Sequence, residues 1–358
     1  MPTLHITNGD CAAVTLRVFA DGPVTITADV LHEGPAPRVD GDAWHESRAR
    51  FLASDGDATV EQVRSDLARW DRTILDARDR GDNLVLWFEH DLFDQLLLIR
   101  TLDLIGDPES VAQHQNVSLI CIDRFPGVER FIGLGQLDAT QLASLYPSRR
   151  PVTAEQFALA SAAWAAFRSP DPRELFELAV RLTASARASA VRRSVPRRRK
   201  ADTTDDSHAG TADDPALPFL GDALLRFLAE FPSLENGLSR TETLALTALR
   251  AGPLTGGALF DATQKQESRP FMGDAPFFDV LRGLAAGRVP LLTIDGAAEQ
   301  LDLWPQVVAI TDAGRDVLSG RLDRVAVNGI DVWRGGVHLA GADRSPWRWN
   351  ARAETLVS

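Results

Sequence analysis

Lysine is nearly absent from this chain. Of its 38 basic residues only Lys200 and Lys265 are lysines, and arginine carries the rest of the positive charge. That scarcity excludes a G-x-x-x-x-G-K-[ST] phosphate loop, and because no lysine precedes Lys200 the first half has no candidate for a Schiff base. Cysteine is as scarce. Cys11 and Cys121 are too few for a disulfide framework or a thiolate metal cluster, and both fall in or beside apolar segments, as buried free thiols do. There is no G-x-S-x-G elbow, and Gly133-x-Gly135 lacks the third glycine and the strand context of a dinucleotide fingerprint. No apolar run approaches the length needed to cross a bilayer. Met1-Pro2-Thr3-Leu4-His5 has no basic segment leading into an apolar core, so a cytoplasmic protein without membrane contact is expected. A net charge of -12 has the wrong sign for a general hold on nucleic acid.

What is present is an ordinary globular composition, 44% hydrophobic and 25% charged, over 358 residues. That length exceeds what one core usually holds, so two domains are expected. The first half alternates strands with helices. Thr3 to Thr7 reads as a short strand, Asn8-Gly9-Asp10 as a turn, and Cys11 to Ala20 as a helix with Asp10 as its N-cap. Pro23 to Asp29 is rich in β-branched residues and reads as a second strand ending on a carboxylate. His32-Glu33-Gly34-Pro35 follows as a loop that Gly and Pro keep out of helix. Trp44 to Leu52 and Val60 to Arg80 have helical periodicity. Leu84 to Phe88 is a continuous apolar run, the mark of a strand covered on both faces. It stops on Glu89-His90-Asp91, and Asp94, Gln95 and the apolar residues after them continue at helical spacing. Val117 to Ile122 is a fourth strand, ending on Asp123. The alternation predicts an α/β, Rossmann-like domain over 1–183 with a mostly parallel sheet and a helical extension built from Thr140 to Leu145, Thr153 to Phe167 and Pro172 to Leu182.

From Ala184 the apolar periodicity fades into the basic run Arg192 to Lys200 and then an acidic run through Asp214. Opposite charge blocks without apolar residues predict a disordered linker over 184–217. Over 218–358, helices at Leu220 to Phe231, Ser239 to Leu249, Thr255 to Phe260 and Asp274 to Ala286 precede a strand pair, Val289 to Ile294 with Trp304 to Thr311. That order predicts a smaller α+β, winged-helix-like C-terminal domain. Its reading helix, Asp274 to Ala286, offers Arg282 against Asp274 and Asp279, poor equipment for base contacts, so an interaction or lid domain is preferred to a DNA reader.

Parallel strands in one sheet bring their carboxyl ends to one crevice, where ligands of open α/β sheets bind. Here those ends carry Asn8, Asp10, Asp29, Glu89, His90, Asp91 and Asp123. Carboxylates brought together hold a cation, share a proton or bind a basic ligand. His90 and Asp91 are the candidate catalytic residues, with His90 as general acid/base. Asn8, Gly9, Asp10, Asp29, Gly34, Glu89 and Asp94 are candidate ligand contacts, with Asn8 and Gly9 setting backbone donors near an anion. Asp10 and Asp91 are candidate ligands of a divalent metal, Mg²⁺, Mn²⁺ or Zn²⁺, that would activate water against a phosphoester. The structural alternative stays open. Asp10 and Asp91 equally suit helix caps, Asp29 a turn, and His90 a supporting role.

Three stretches carry a resemblance: His5-Ile6-Thr7-Asn8-Gly9-Asp10, Asp29-Val30-Leu31-His32-Glu33-Gly34-Pro35, and Trp87-Phe88-Glu89-His90-Asp91-Leu92-Phe93-Asp94-Gln95. Together they resemble the bacterial family known as domain of unknown function 1835, over roughly the first half of the chain. The resemblance implies a bacterial, cytoplasmic protein and supplies no reaction. The combined expectation is a binder of a small polar or phosphorylated ligand, such as a nucleotide, with metal-assisted hydrolase activity. The alternative is a ligand-responsive regulator or interaction module that contacts DNA or a protein through 218–358.

Overall fold

The structure, a computed structural model, describes residues 1–54, 58–106, 116–194, 216–296, 302–341 and 347–358, with 189–194 as backbone only. The chain divides into two compact units, Met1–Leu224 and Leu225–Ser358.

Unit 1 is built on a five-stranded sheet. In chain order its elements are β1 (Thr3–Thr7), α1 (Asp10–Leu16), β2 (Val24–Ile26), the two-residue β3 (Gly34–Pro35), α2 (Gly41–Leu52), α3 (Val60–Asp79), β4 (Asn83–Glu89) and α4 (Leu92–Ile105). β5 (Val117–Ile122), α5 (Ala139–Leu145), β6 (Arg150–Pro151), α6 (Ala154–Phe167) and α7 (Arg173–Ser194) complete it. The strand order is β2-β1-β4-β5-β6, with the first four parallel and the short β6 antiparallel on the edge. The pairing sets Thr7 opposite Trp87 and Glu89 opposite Ile122, so the carboxyl ends of β1, β4 and β5 lie side by side.

Strand alternation sends Val85 and Trp87 to one face of β4, where they join Ala12 and Leu16 of α1, Ile120 of β5 and Leu142 of α5 in one apolar cluster. Leu84, Leu86 and Phe88, all fully buried, point to the other face. α4 packs on β4, α3 and α6, and its Leu92, Leu96 to Ile99, Leu102 and Ile105 are all buried, which is why it reads as an unbroken apolar run and not an amphipathic stripe.

Several local expectations change in the structure. α1 ends at Leu16 and its N-cap is Gly9, not Asp10, which stands in the first turn. β6 carries an arginine and a proline in two residues, a pattern with no strand signature. α7 continues through Ser194, so the first 11 residues of the expected linker are helical, while 195–215 of it lie outside the described residues. Cys11 is exposed, and only Cys121 has the buried thiol expected of both.

α8 (Leu220–Leu228) crosses the boundary between the units. Unit 2 continues with α9 (Arg240–Ala248), β7 (Leu254–Thr255), α10 (Gly256–Gln266), α11 (Asp274–Ala286), β8 (Leu292–Ile294) and β9 (Val307–Ile310). Its antiparallel sheet has the order β7-β9-β8. Leu246, Leu259, Phe277, Leu281, Leu292 and Val308 close the core between these helices and the sheet. After α12 (Asp312–Leu318) and α13 (Arg324–Asn328), the tail forms two hairpins, β10 (Ile330–Gly335) with β11 (Val337–Gly341) and β12 (Arg348–Asn350) with β13 (Thr355–Val357). Trp349 is buried, and its backbone bonds Pro232 and Leu234.

Candidate functional site

β1 leads to β2 on one side, and the next parallel strand, β4, returns to its other side. The strand order therefore reverses between β1 and β4, and a crevice opens outside the carboxyl ends of the two strands at such a reversal. Asn8 follows β1 and Glu89 ends β4, so both stand at this point.

Three carboxylates meet there. Glu89, Asp91 and Asp94 are buried and each brings an oxygen within 4.8 Å of the others. The turn from β4 into α4 explains two of them. Asp91 is the N-cap of α4, its Oδ1 accepting from the Asp94 backbone N–H at 3.0 Å. Asp94, one turn in, reaches back so that Oδ1 accepts from the Glu89 N–H at 2.8 Å. Asn8 ties the neighbouring strand to both acids, its Nδ2 donating to Asp94 Oδ2 at 2.7 Å and to Glu89 Oε1 at 3.4 Å. From the opposite side the Leu134 N–H donates to Glu89 Oε1, and Gly133 lies so close that a Cβ there would sit 2.5 Å from Glu89 Oε2. Gln95 Nε2 donates to the Glu89 carbonyl at 2.6 Å, and the Cys121 thiol approaches the same oxygen at 3.4 Å.

Burial sets the electrostatics. Glu89 titrates well above the ordinary carboxyl range because it is desolvated and because Asp94 and Asp91 add negative charge beside it. Asp94 is pushed up to about 7 by burial, against the help of its Asn8 and Glu89 N–H bonds. The Cys121 thiol is raised too, first by burial and then by the Asp94 charge, which makes it a poor nucleophile.

The contrast with the other buried acids is informative. Asp29, Asp71, Asp82, Glu230 and Glu267 are each met by an arginine: Arg48, Arg100, Arg80, and Arg226 for the last two. Among the described residues Glu89 and Asp94 meet only an amide and backbone N–H groups.

The other sequence-stated candidates fall elsewhere or do other work. Asp10 is exposed and outside the group of converging carboxylates; among the described residues the group that could hold a metal is Glu89, Asp91 and Asp94, which keeps Asp91 and leaves out Asp10. Gly9 precedes a helix of only 7 residues, too short to concentrate a dipole on an anion. Asp29 is committed to Arg48, whose Nη2 lies 2.6 Å from its Oδ1, so its carboxylate is not open to a ligand. Gly34 has φ 70°, and a Cβ there would come within 2.4 Å of the Phe51 ring, so turn and packing account for that glycine. His90 is buried with its ring 5.9 Å from that of Phe131 and 6.1 Å from that of Phe219. Asp123 is half-buried. Burial opposes its ionisation, but Arg124, bonded at 2.9 Å, and the nearby His90 outweigh that and lower its pKa.

Sequence reading missed Arg48, Gly133 and Leu134. An arginine among polar helix residues and a Gly-rich loop give no local sign that one is fully buried and the other closes over an acid.

The donor set is compatible with a divalent cation. It consists of oxygen alone, which suits Mg²⁺ or Mn²⁺ better than Zn²⁺, and three carboxylates leave coordination positions for water or substrate oxygen. No protein-family model matches this chain, and no curated protein matches it. The functional reading therefore stands on the geometry.

Proposed function

We propose that unit 1 binds a small phosphorylated ligand of the nucleotide type at the carboxyl ends of β1 and β4, together with a divalent cation, and hydrolyses a phosphoester there. One observation carries the reading: among the described residues Glu89 and Asp94 are buried acids met by an amide and backbone N–H groups and by no arginine, and they stand at the reversal of strand order. Three carboxylates alone would repel a phosphate, so a cation must lie between them and any such ligand. Glu89, Asp91 and Asp94 would hold it, and when bound it would polarise the phosphoester and lower the pKa of an attacking water. Asn8 orients Glu89 and Asp94, the Gly133-Leu134 turn fixes Glu89, and His90, between Glu89 and Asp91 in the chain, would move a proton. Thermal denaturation of the full chain with Mg²⁺, Mn²⁺ or Zn²⁺, each with and without ATP, GTP or inorganic phosphate, tests this. Binding at a hundred times Kd adds about 2.7 kcal/mol. A melting curve unmoved by every combination defeats the proposal.

A second reading has its own support. In unit 2 the succession α9, β7, α10, α11, β8, β9 with sheet order β7-β9-β8 supports a winged-helix reading, in which α11 would be the reading helix. The two arginines on and just after α11 are engaged: Arg282 bonds Asp279 at 2.6 Å, and Arg288 bonds the Val327 carbonyl at 2.8 Å. That favours a protein-interaction module over a DNA reader. A gel-shift screen at low salt decides; binding lost on Arg282→Ala with Arg288→Ala would restore the DNA version.

A further inference from the structure

The segment between β8 and β9 presents Trp304, the one aromatic among the exposed large apolar side chains of the described residues, 45% exposed. An exposed indole is unusual, and this one is held rigidly. One side lies on Gly257 at the start of α10, where a Cβ would come within 2.2 Å of the ring. Phe260 and Phe278 meet it edge-on, with centroids at 6.0 and 5.9 Å. Its Nε1 donates to Asp274 Oδ2 at 3.0 Å, and its backbone N–H donates to Asp302 Oδ1 at 2.9 Å. Neither aspartate has a basic partner among the described residues, and Val307, also exposed, extends the apolar surface three residues on.

An indole face flanked by two carboxylates that have no ion-pair partner among the described residues, Asp274 also accepting from the Ala275 N–H at 2.9 Å, is an arrangement for a cation. The ring quadrupole attracts an ammonium or guanidinium, the carboxylates supply its counter-charge, and the indole's immobility removes most of the ordering cost of contact. The same charges repel a polyanion. Tryptophan is also the residue type most often found at the energetic centre of a protein interface.

We propose that the Trp304 patch of unit 2 is a docking site for a basic, arginine-rich polypeptide segment of a partner protein. The guanidinium stacks on the open indole face with Asp274 and Asp302 beside it. This is independent of any ligand at the Glu89 cluster.

The test is fluorescence anisotropy of a fluorescein-labelled hexa-arginine peptide with the full chain at about 0.15 M salt, where attraction beyond about 8 Å is screened. Saturable binding is expected, weakened about tenfold by Trp304→Ala and less by Trp304→Phe, which keeps an aromatic face. Asp302→Asn and Asp274→Asn leave the indole packing in place and are expected to weaken binding several-fold, so the proposal stays testable should Trp304→Ala fail to fold. Asp331→Asn, which removes an equally charged acid of the tail hairpin that bonds His338, should leave binding unchanged. Equal binding by wild type, Trp304→Ala and Asp302→Asn would overturn the proposal, as would binding of a labelled DNA duplex in preference to the peptide.

Discussion

Replacing Arg48 with methionine should be among the most damaging single changes in unit 1. Arg48 is fully buried, and each of its five N–H groups has an acceptor. Nε and Nη2 engage Asp29 at 3.0 and 2.6 Å, Nη1 donates to the Glu33 and Pro35 carbonyls at 2.9 and 3.0 Å, and Nη2 also donates to the Val30 carbonyl at 3.0 Å. One side chain thus ties down the loop from Asp29 to Pro35. Methionine keeps the apolar stem but strips a buried carboxylate of its guanidinium and removes one donor from each of three carbonyls. Removing one partner of a buried ion pair costs about 3–5 kcal/mol. At roughly 2–4 °C per kcal/mol for a unit of this size, the melting temperature should fall by about 6–20 °C. Asp29→Asn alone should also destabilise, because it strands the guanidinium. The double variant should be less unstable than the sum of the singles by about 1–3 kcal/mol, since neither charge is then left alone. Calorimetric melting of the four proteins decides. Strict additivity, or Arg48→Met melting within about 2 °C of wild type, would refute the claim that the pair organises the loop.

Asp94, raised to about 7, favours the folded state most below the ordinary carboxyl range, and that contribution is lost as pH rises through about 7; Glu89, raised by burial and its acidic neighbours, acts with the same sign. In EDTA the melting temperature of unit 1 should therefore drop between about pH 5 and pH 8, and Asp94→Asn should flatten the slope. Glu230 has the opposite sign. Burial opposes its ionisation, but Arg226 and Arg334 hold it down to about 2, so its contribution is present above the ordinary glutamate range and fades as pH falls towards 2, which Glu230→Gln should abolish in an acid titration followed by circular dichroism. Gly133→Ala would press a methyl group against Glu89 and should cost about 1–3 kcal/mol by denaturant titration, while shrinking any Mn²⁺-induced rise in melting temperature. In neutral His5 the proton should be on Nε2, because Trp87 Nε1 donates to Nδ1 at 3.1 Å and Nε2 faces Asp21 at 2.9 Å; nitrogen chemical shifts showing the Nδ1–H tautomer would contradict the hydrogen-bond chain.

Much of the sheet was legible because buried parallel strands leave a strong mark. Leu84 to Phe88 and Val117 to Ile122 are apolar on both faces, and each appears as a strand within a residue of its expected bounds. The capping boxes at Thr153 with Gln156 and Ser239 with Glu242 are local chemistry and form as read. What the sequence hides is non-local. β6 is a strand only because β5 offers it an edge, and α10 outruns its expected end at Phe260 to reach Gln266 because tertiary packing extends it past the point where its periodicity blurs.

The same division separates the acids. Asp29 and Glu89 look alike in sequence, each a carboxylate at or near the end of a β-rich run before a histidine-containing segment. The fold assigns them opposite fates through partners far away in the chain. Arg48, on a helix 19 residues later, neutralises Asp29 completely. Glu89 receives Asn8 from 81 residues earlier and the Leu134 N–H from 45 residues later, dipoles that soften its charge without cancelling it. Asp29, Asp71, Asp82, Glu230 and Glu267 are answered by arginine; leaving Glu89 and Asp94 to dipoles raises both pKa values, a cost to stability at neutral pH that packing alone does not demand. A cation bound there would remove that cost by relieving the repulsion among the carboxylates, once they have lost their protons. Mn²⁺ stabilisation should therefore grow with pH between about 5 and 8, over the interval in which Asp94, raised to about 7, loses its proton, and a pH-independent metal effect would place the ion elsewhere.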